Sequence, residues 1–210
     1  MKLSAIIPVK TFSNAKSKLD LPNEKKEQLC KLMFEEVLHT ISISNAIDSI
    51  IVVSKDQKVF DIAKKFNVIE IEDNNESGVN NAVSLADNYL NENAFDASIV
   101  FPQDIPFMKT QDIDFLLQFQ NSPTCALIVP SRKFDGTNAL LRMPTNLMET
   151  HYDEDSYKIH LTVGKQNTKN TSLVFVKRIM MDIDDDGDLK YCLKQNEKPD
   201  FCNKIEKLLE

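Results

Sequence analysis

Short apolar runs alternate along this chain with longer stretches of helical period. Leu3 to Val9 reads as a buried strand. Pro22 to about Ile43 reads as a helix, with Leu29, Leu32, Met33, Val37 and Leu38 on one face and Pro22 suited to its first turn. Ser49 to Ser54 is a second buried strand, and residues 56 to 66 predict a short helix with Val59, Ile62, Ala63 and Phe66 inward. The pattern continues with a strand at Val68 to Ile71, a helix from Gly78 to about Asn91, a strand at Ala97 to Phe101, a helix near residues 110 to 120 and a strand at Ala126 to Val129. This β-α-β-α-β rhythm predicts a Rossmann-like, three-layer α/β/α fold around a mixed, mostly parallel central sheet.

The later part breaks the rhythm. Ala139 to Met143 and Leu173 to Val176 read as strands, and Pro144 to Asn170 between them as a polar, irregular segment, either a lid or an excursion over the site. Within it, Ser156 suits the cap of a helix running toward His160. Helices around Leu189 to Gln195 and from Phe201 onward close the chain. With no repeat and no clear linker, residues 1–210 are expected to form a single domain.

Composition narrows the function classes. At 42% hydrophobic and 27% charged, the chain is of ordinary globular character. A net charge of −7 argues against a general nucleic-acid surface, which needs a basic face. No apolar stretch approaches the ~18 residues of a membrane span. The amino-terminal apolar run, closed by Pro8 and Lys10, is too short for a secretory leader, so a cytoplasmic protein without membrane partners is expected. Four cysteines without a Cys-x-x-Cys pair predict buried free thiols, and only three histidines argue against zinc.

Against this acidic background, Lys10, Lys16 and Lys18 place three cations within nine residues directly behind the first strand. The carboxyl end of a first strand is where open α/β sheets bind ligands. Such a loop is either an ordinary solvated turn or a polyphosphate site. Only four glycines occur, with neither G-x-G-x-x-G nor G-x-x-x-x-G-K-[ST] among them. A phosphate here must therefore be held by lysine side chains and the start of the following helix.

The candidate partners of those cations are carboxylates. Asp104 follows a strand, in Pro102-Gln103-Asp104-Ile105-Pro106, and serves either function or a turn. Asp182 and Asp184 share one face of an extended segment, where Mg²⁺ would relieve their repulsion. The alternative is a solvated acidic edge, since Asp185, Asp186 and Asp188 follow. Asp182-x-Asp184-x-Asp186-Gly187 matches the first half of a calcium-hand loop, but its twelfth position is Leu193. Asn80 and Asn81, behind Gly78, open a helix and either contact a nucleoside or cap. Thr137 and Asn138 sit in a turn before a strand, suited to an anion or to the turn itself. His39, within a helix, is not expected to be catalytic. Lysines for phosphate and aspartates for metal make up the equipment of phosphoryl or nucleotidyl transfer.

Taken together, IPVKTFSNAKSKL, GVNNAVSLA, FPQDIP, DGTNALL, the Ser156 to His160 segment and MDIDDDGDL span residues 6 to 189. In this order they resemble the 2-phospho-L-lactate guanylyltransferases of coenzyme F(420) biosynthesis, whose fold is that of the nucleotide-diphospho-sugar transferases. The resemblance implies Mg²⁺-dependent reaction of GTP with 2-phospho-L-lactate, giving lactyl-diphosphoguanosine and pyrophosphate. Related members use phosphoenolpyruvate or a phosphoglycerate. It implies that Lys10, Lys16, Lys18, Gly78, Asn80, Pro102 and Gln103 meet the nucleotide, with Lys10, Lys16 and Asp104 catalytic. Asp104, Asp182 and Asp184 would hold the metal, and Thr137, Asn138, Asp153 and Ser156 the acceptor. A homodimer is expected.

Three departures stand out from the family pattern. Lys18 replaces the usual Arg and loses its bidentate fork. Asp153 replaces Gly and adds negative charge near an anionic substrate. Asp185-Asp186-Gly187 replaces Thr-Pro-Glu. The alternatives are a nucleotidyltransferase with another phosphorylated acceptor and a non-catalytic nucleotide- or calcium-binding module.

Overall fold

The structure is a computed structural model that describes residues 1–14, 16–152 and 155–210, without the side chain of Asn14. Seven strands form one sheet: β1 (Leu3–Val9), β2 (Ser49–Ser54), β3 (Ile69–Glu72), β4 (Ala97–Val100), β5 (Cys125–Pro130), β6 (Thr137–Met143) and β7 (Thr171–Leu173). Their order is β3-β2-β1-β4-β6-β5-β7. Neighbours pair in parallel except β6, which runs antiparallel to both β4 and β5. The helices are α1 (Asn23–Ser42), α2 (Gln57–Ala63), α3 (Val79–Glu92), α4 (Thr110–Leu117), α5 (Ser156–Asn167), α6 (Asp186–Gln195) and α7 (Pro199–Leu209).

Alternation along β1 explains the three layers. Leu3, Ala5, Ile7 and Val9 enter a core shared with α1, α2, α4, α6 and α7, while Ile6 points into a second core with Ile51, Val53 and the α3 residues Ala82, Val83, Ala86 and Leu90. The buried faces leave the carboxyl ends of β1 and β4 as the free edge. At that edge the strand order turns, since β1 has β2 on one side and the later β4 on the other. All four cysteines are buried and unpaired, as expected. No helix among the described residues is long and apolar enough to cross a membrane.

Four expectations need correction. The segment from Pro144 to Asn170 is not irregular throughout, because it contains the twelve-residue α5. Its buried residues are Ser156, His160 and Gly164, one small or polar side chain per turn, so the helix carries no apolar stripe to read. Ser156 is the first helical residue rather than the cap, which is Asp155 at φ 56°. The last strand is Thr171–Leu173, with the apolar residues after it leaving the sheet: Val174, Val176 and Ile179 pack into the core as irregular chain. Finally, α2 stops at Ala63 and tightens into a 3₁₀ turn over Lys64–Phe66.

Candidate active site

The lysine loop is pinned from below. Behind β1, a 3₁₀ turn at Phe12–Asn14 buries Phe12 against Phe34, with ring centroids 6.0 Å apart, and Leu19 is buried at the far end. The amides of Thr11 and Phe12 donate to the carboxylates of Glu76 and Asp56. Between these anchors Lys16 adopts φ 58°, a left-handed conformation that lysine rarely takes. Its ammonium donates to Asp104 and, at 2.6 Å, to Asp184 Oδ1, and its side chain is only 6% exposed. Lys10 and Lys18 remain exposed.

A second set of bonds brings the acidic residues together. The Ile183 amide donates to the Asp104 carbonyl at 3.1 Å, docking the 182–184 segment onto the end of β4. Asn138 Nδ2 donates to Asp182 Oδ1 and to the Ile179 carbonyl, both at 3.0 Å. Burial, then Asp104 and Asp184, push the Asp182 carboxyl up to about 6, against the lowering bond from Asn138. Burial also disfavours the charged Lys16, but Asp104 and Asp184 outweigh it and raise its pKa. For Asp184 burial acts upward, and Lys16, Lys18 and Lys133 together hold the carboxyl below its ordinary value.

Lys16, Asp104 and Asp184 line a cleft of about 330 Å³ that also receives Lys10, Lys18, Gln103 and Thr137, while Asp182 and Asn138 lie outside its wall. Gln103 Oε1 is buried there without a hydrogen-bond partner among the described residues. A smaller recess adjoins it across Pro8, Lys10 and Val79. That recess is lined by Ser54, Asp73, Glu76 and Gly78. Gly78 precedes α3 at φ 109°, a conformation open to glycine.

Sequence reading did not single out Asp73 or Glu76, although acids flanking Gly78 behind a strand were the available signal. Asp73 is buried and accepts from the Asn81 side chain at 3.0 Å and the Glu76 amide at 3.2 Å. Asn80 points elsewhere: its Oδ1 accepts from the Tyr152 amide at 2.8 Å, and it lines a separate polar hollow. Thr137, Asn138 and Ser156 are buried together at the start of β6 and of α5. Asp153 lies outside the described residues.

The acidic run after Asp184 has structural work. Asp185 caps α6 by accepting from the Asp188 amide at 2.9 Å, and buried Asp188 pairs with Arg132 and Lys133. A calcium hand would draw its side-chain oxygens from Asp182, Asp184 and Asp186, and of these Asp182 accepts from Asn138 and Asp184 from Lys16.

Among the described residues no three His, Cys, Asp or Glu side chains converge tightly enough to hold a metal by themselves. The donor set nevertheless suits Mg²⁺. Asp104 and Asp184 already share one cation, the Lys16 ammonium, and both offer hard oxygen. Mg²⁺ ordinarily takes one or two carboxylates together with substrate phosphates.

Residues 3–204 match the family described as "Guanylyl transferase CofC like". Three relatives show the range of names. A phosphoenolpyruvate guanylyltransferase from Conexibacter woesei is 27% identical, over 90% of this chain and 86% of its own length. A 2-phospho-L-lactate guanylyltransferase from Methanobrevibacter smithii is 28% identical, over 88% and 80%. A 3-phospho-D-glycerate guanylyltransferase from Colwellia psychrerythraea is 26% identical, over 90% of each. Among solved structures, a Desulfovibrio desulfuricans protein assigned as a nucleotide-diphospho-sugar transferase superposes with a TM-score of 0.77. It covers 100% of this chain and 94% of its own at 14% identity, a likeness of fold.

Proposed function

The chain belongs to the CofC-like guanylyl transferase family and is a nucleotidyltransferase; from that premise we propose that it moves GMP from GTP to a small phosphorylated carboxylic acid. The leading acceptor is 2-phospho-L-lactate, the substrate in the names of several relatives, and the product would be lactyl-diphosphoguanosine. Phosphoenolpyruvate and 3-phospho-D-glycerate are the alternatives, each a phosphate beside a carboxylate and each named in a relative of similar identity. The observation that carries this reading is the Lys16 ammonium held between Asp104 and Asp184 at the carboxyl ends of β1 and β4.

The chemistry asks little covalent work of the protein. An acceptor phosphate oxygen, already ionised at neutral pH, attacks the α-phosphorus of GTP. The new P–O bond forms as the bond to the β-bridging oxygen breaks, and pyrophosphate leaves with that electron pair. The barrier is charge repulsion and alignment. Lys10, Lys16 and Lys18 face the triphosphate and take up the charge on the departing pyrophosphate. Asp104 and Asp184 would hold Mg²⁺, with Asp182 fixed beside them by Asn138. When bound, Mg²⁺ supplies neutralisation of phosphate oxygens.

The adjoining recess suits the base. Guanine presents N1–H and a 2-amino group as donors, and Asp73 and Glu76 offer acceptors. Thr137, Asn138 and Ser156, with Asp153 nearby in sequence, form the acceptor side.

The test is pyrophosphate release from GTP and Mg²⁺ with each of the three acids, and the mass of the product. A diphosphoguanosine ester with one acid is expected. No release with any of them sinks the reading.

A further inference from the structure

His160 is fully buried in α5 and reaches the cleft wall through a single hydrogen bond, to Thr137. Its Nε2 lies 2.8 Å from the backbone nitrogen of His151. A backbone N–H only donates, so Nε2 accepts and carries no proton. Burial, with lesser contributions from His151 and Arg142, lowers the imidazole pKa to about 3, so the ring is neutral. A neutral ring with bare Nε2 has its proton on Nδ1.

Nδ1 sits 2.9 Å from Thr137 Oγ1, which must therefore accept. The Ser156 hydroxyl donates to the same oxygen at 3.1 Å. A hydroxyl oxygen has two acceptor sites and one proton. Both acceptor sites of Thr137 are filled from the α5 side, and Thr137 is also part of the cleft wall. We infer that His160 is a positioning residue: through its Nδ1–H it fixes the Thr137 hydroxyl as a donor to an anionic oxygen of the phosphorylated acid.

This rests on the guanylyl-transfer reading and adds a selectivity to it. A hydroxyl free to rotate greets donors and acceptors alike. A hydroxyl saturated as acceptor greets only acceptors, so phosphate or carboxylate oxygen is favoured and an amine or hydroxyl donor is left unpaired. Preorganisation also spares the cost of orienting the group when substrate arrives.

The proposal separates two substitutions that a merely structural histidine would not. In His160→Asn the amide nitrogen can take the place of Nδ1, whereas in His160→Gln the amide reaches the Nε2 position and leaves Thr137 without its donor. His160→Gln is expected to raise the KM for the phosphorylated acid about tenfold, near 1.4 kcal/mol, with the KM for GTP within about twofold. His160→Asn should change the acid KM less than about threefold. In a Thr137→Val background, His160→Gln should add nothing further. Equal effects of Asn and Gln, multiplying effects in the double variant, or an equal shift in the GTP KM would each overturn the inference.

Wild-type protein labelled with ¹⁵N at histidine gives a test that needs no variant. The Nδ1–H tautomer is expected at His160, and the Nε2–H tautomer overturns the proposal. Absence of transfer to any acid by the wild type is a different outcome: it defeats the guanylyl-transfer reading itself, and the positioning role with it.

Discussion

Lys16 Nζ and Asp184 Oδ1 lie 2.6 Å apart across 168 residues of chain, and the same ammonium also reaches Asp104. One cation thus joins the loop after β1 to the segments that follow β4 and precede α6. Asp104→Asn and Asp184→Asn are each expected to lower guanylyl transfer by at least ~100-fold, the scale of losing a preorganised charge. Pyrophosphate release measures this, and near wild-type rates in both would remove the metal assignment.

Lys16→Ala should show the same site without relying on turnover. Removing the ammonium leaves Asp104 and Asp184 facing each other with Asp182 close by. The variant is expected to melt lower than the wild type, and added Mg²⁺ to raise its Tm more than the wild type's. A variant indifferent to Mg²⁺ would mean that these carboxylates do not form a cation site.

Asp73 is predicted to read the base. Asp73→Asn should reduce kcat/KM for GTP by about 10–100-fold, as expected for a lost hydrogen bond to a charged group. It should also narrow the preference for GTP over ITP, which lacks the 2-amino group. An unchanged GTP-to-ITP ratio would assign that recess to something other than the guanine edge.

Arg142 is 1% exposed on β6 and is held by both carboxylate oxygens of Asp87, at 2.6 and 2.8 Å, and by Ser98 Oγ at 3.0 Å. Removing one partner of a buried pair costs more than the pair contributes, because a charge is left without its counter-ion. Asp87→Ala should therefore cost about 3 kcal/mol in urea unfolding. Asp87→Asn keeps two acceptor lone pairs for the guanidinium and should cost less.

The same His160 that holds Thr137 makes stability depend on pH. Its folded pKa of about 3 lies below the ordinary value of 6.5. The stability it contributes is present above about pH 6.5 and is lost as pH falls toward 3, by at most about 1.4 kcal/mol per pH unit. Between pH 6.5 and 5 the wild type should lose about 1.6 kcal/mol more than His160→Asn. Parallel unfolding curves for the two proteins would contradict this.

Most of the sheet was legible because buried parallel strands are plain apolar runs. Leu3–Val9 and Ser49–Ser54 fall where the pattern put them. Of α5 only the start was legible, from Ser156 as a cap of a helix running toward His160. Gly164 faces Thr171 so closely that a Cβ there would lie 2.7 Å from the Thr171 methyl carbon, so the helix needs glycine at that position where a stripe would carry leucine. The apolar run after Thr171 misled in the opposite sense, since Val174 and Val176 are buried without belonging to a strand. In the site, residue types announced a cation beside carboxylates, and spacing put Asp182 and Asp184 together. No local pattern told that Lys16 turns onto the aspartates, that Asn80 bonds the Tyr152 amide, or that Asp73 lines the recess, because each is a contact across tens of residues.

The reversal of β6 has a consequence for how such a protein can diversify. The groups proposed to face the nucleotide come after β1 and β4, at strand ends, whereas Thr137 comes at a strand's beginning and meets them in the cleft only because β6 runs the other way. The two halves of the site are therefore written in separate stretches of chain. On the proposed assignment, exchanging the turn before β6, or the start of α5, would alter what is received without disturbing what is delivered. Relatives bearing the names of three different phosphorylated acids but one guanylyl group fit a scaffold divided along that line.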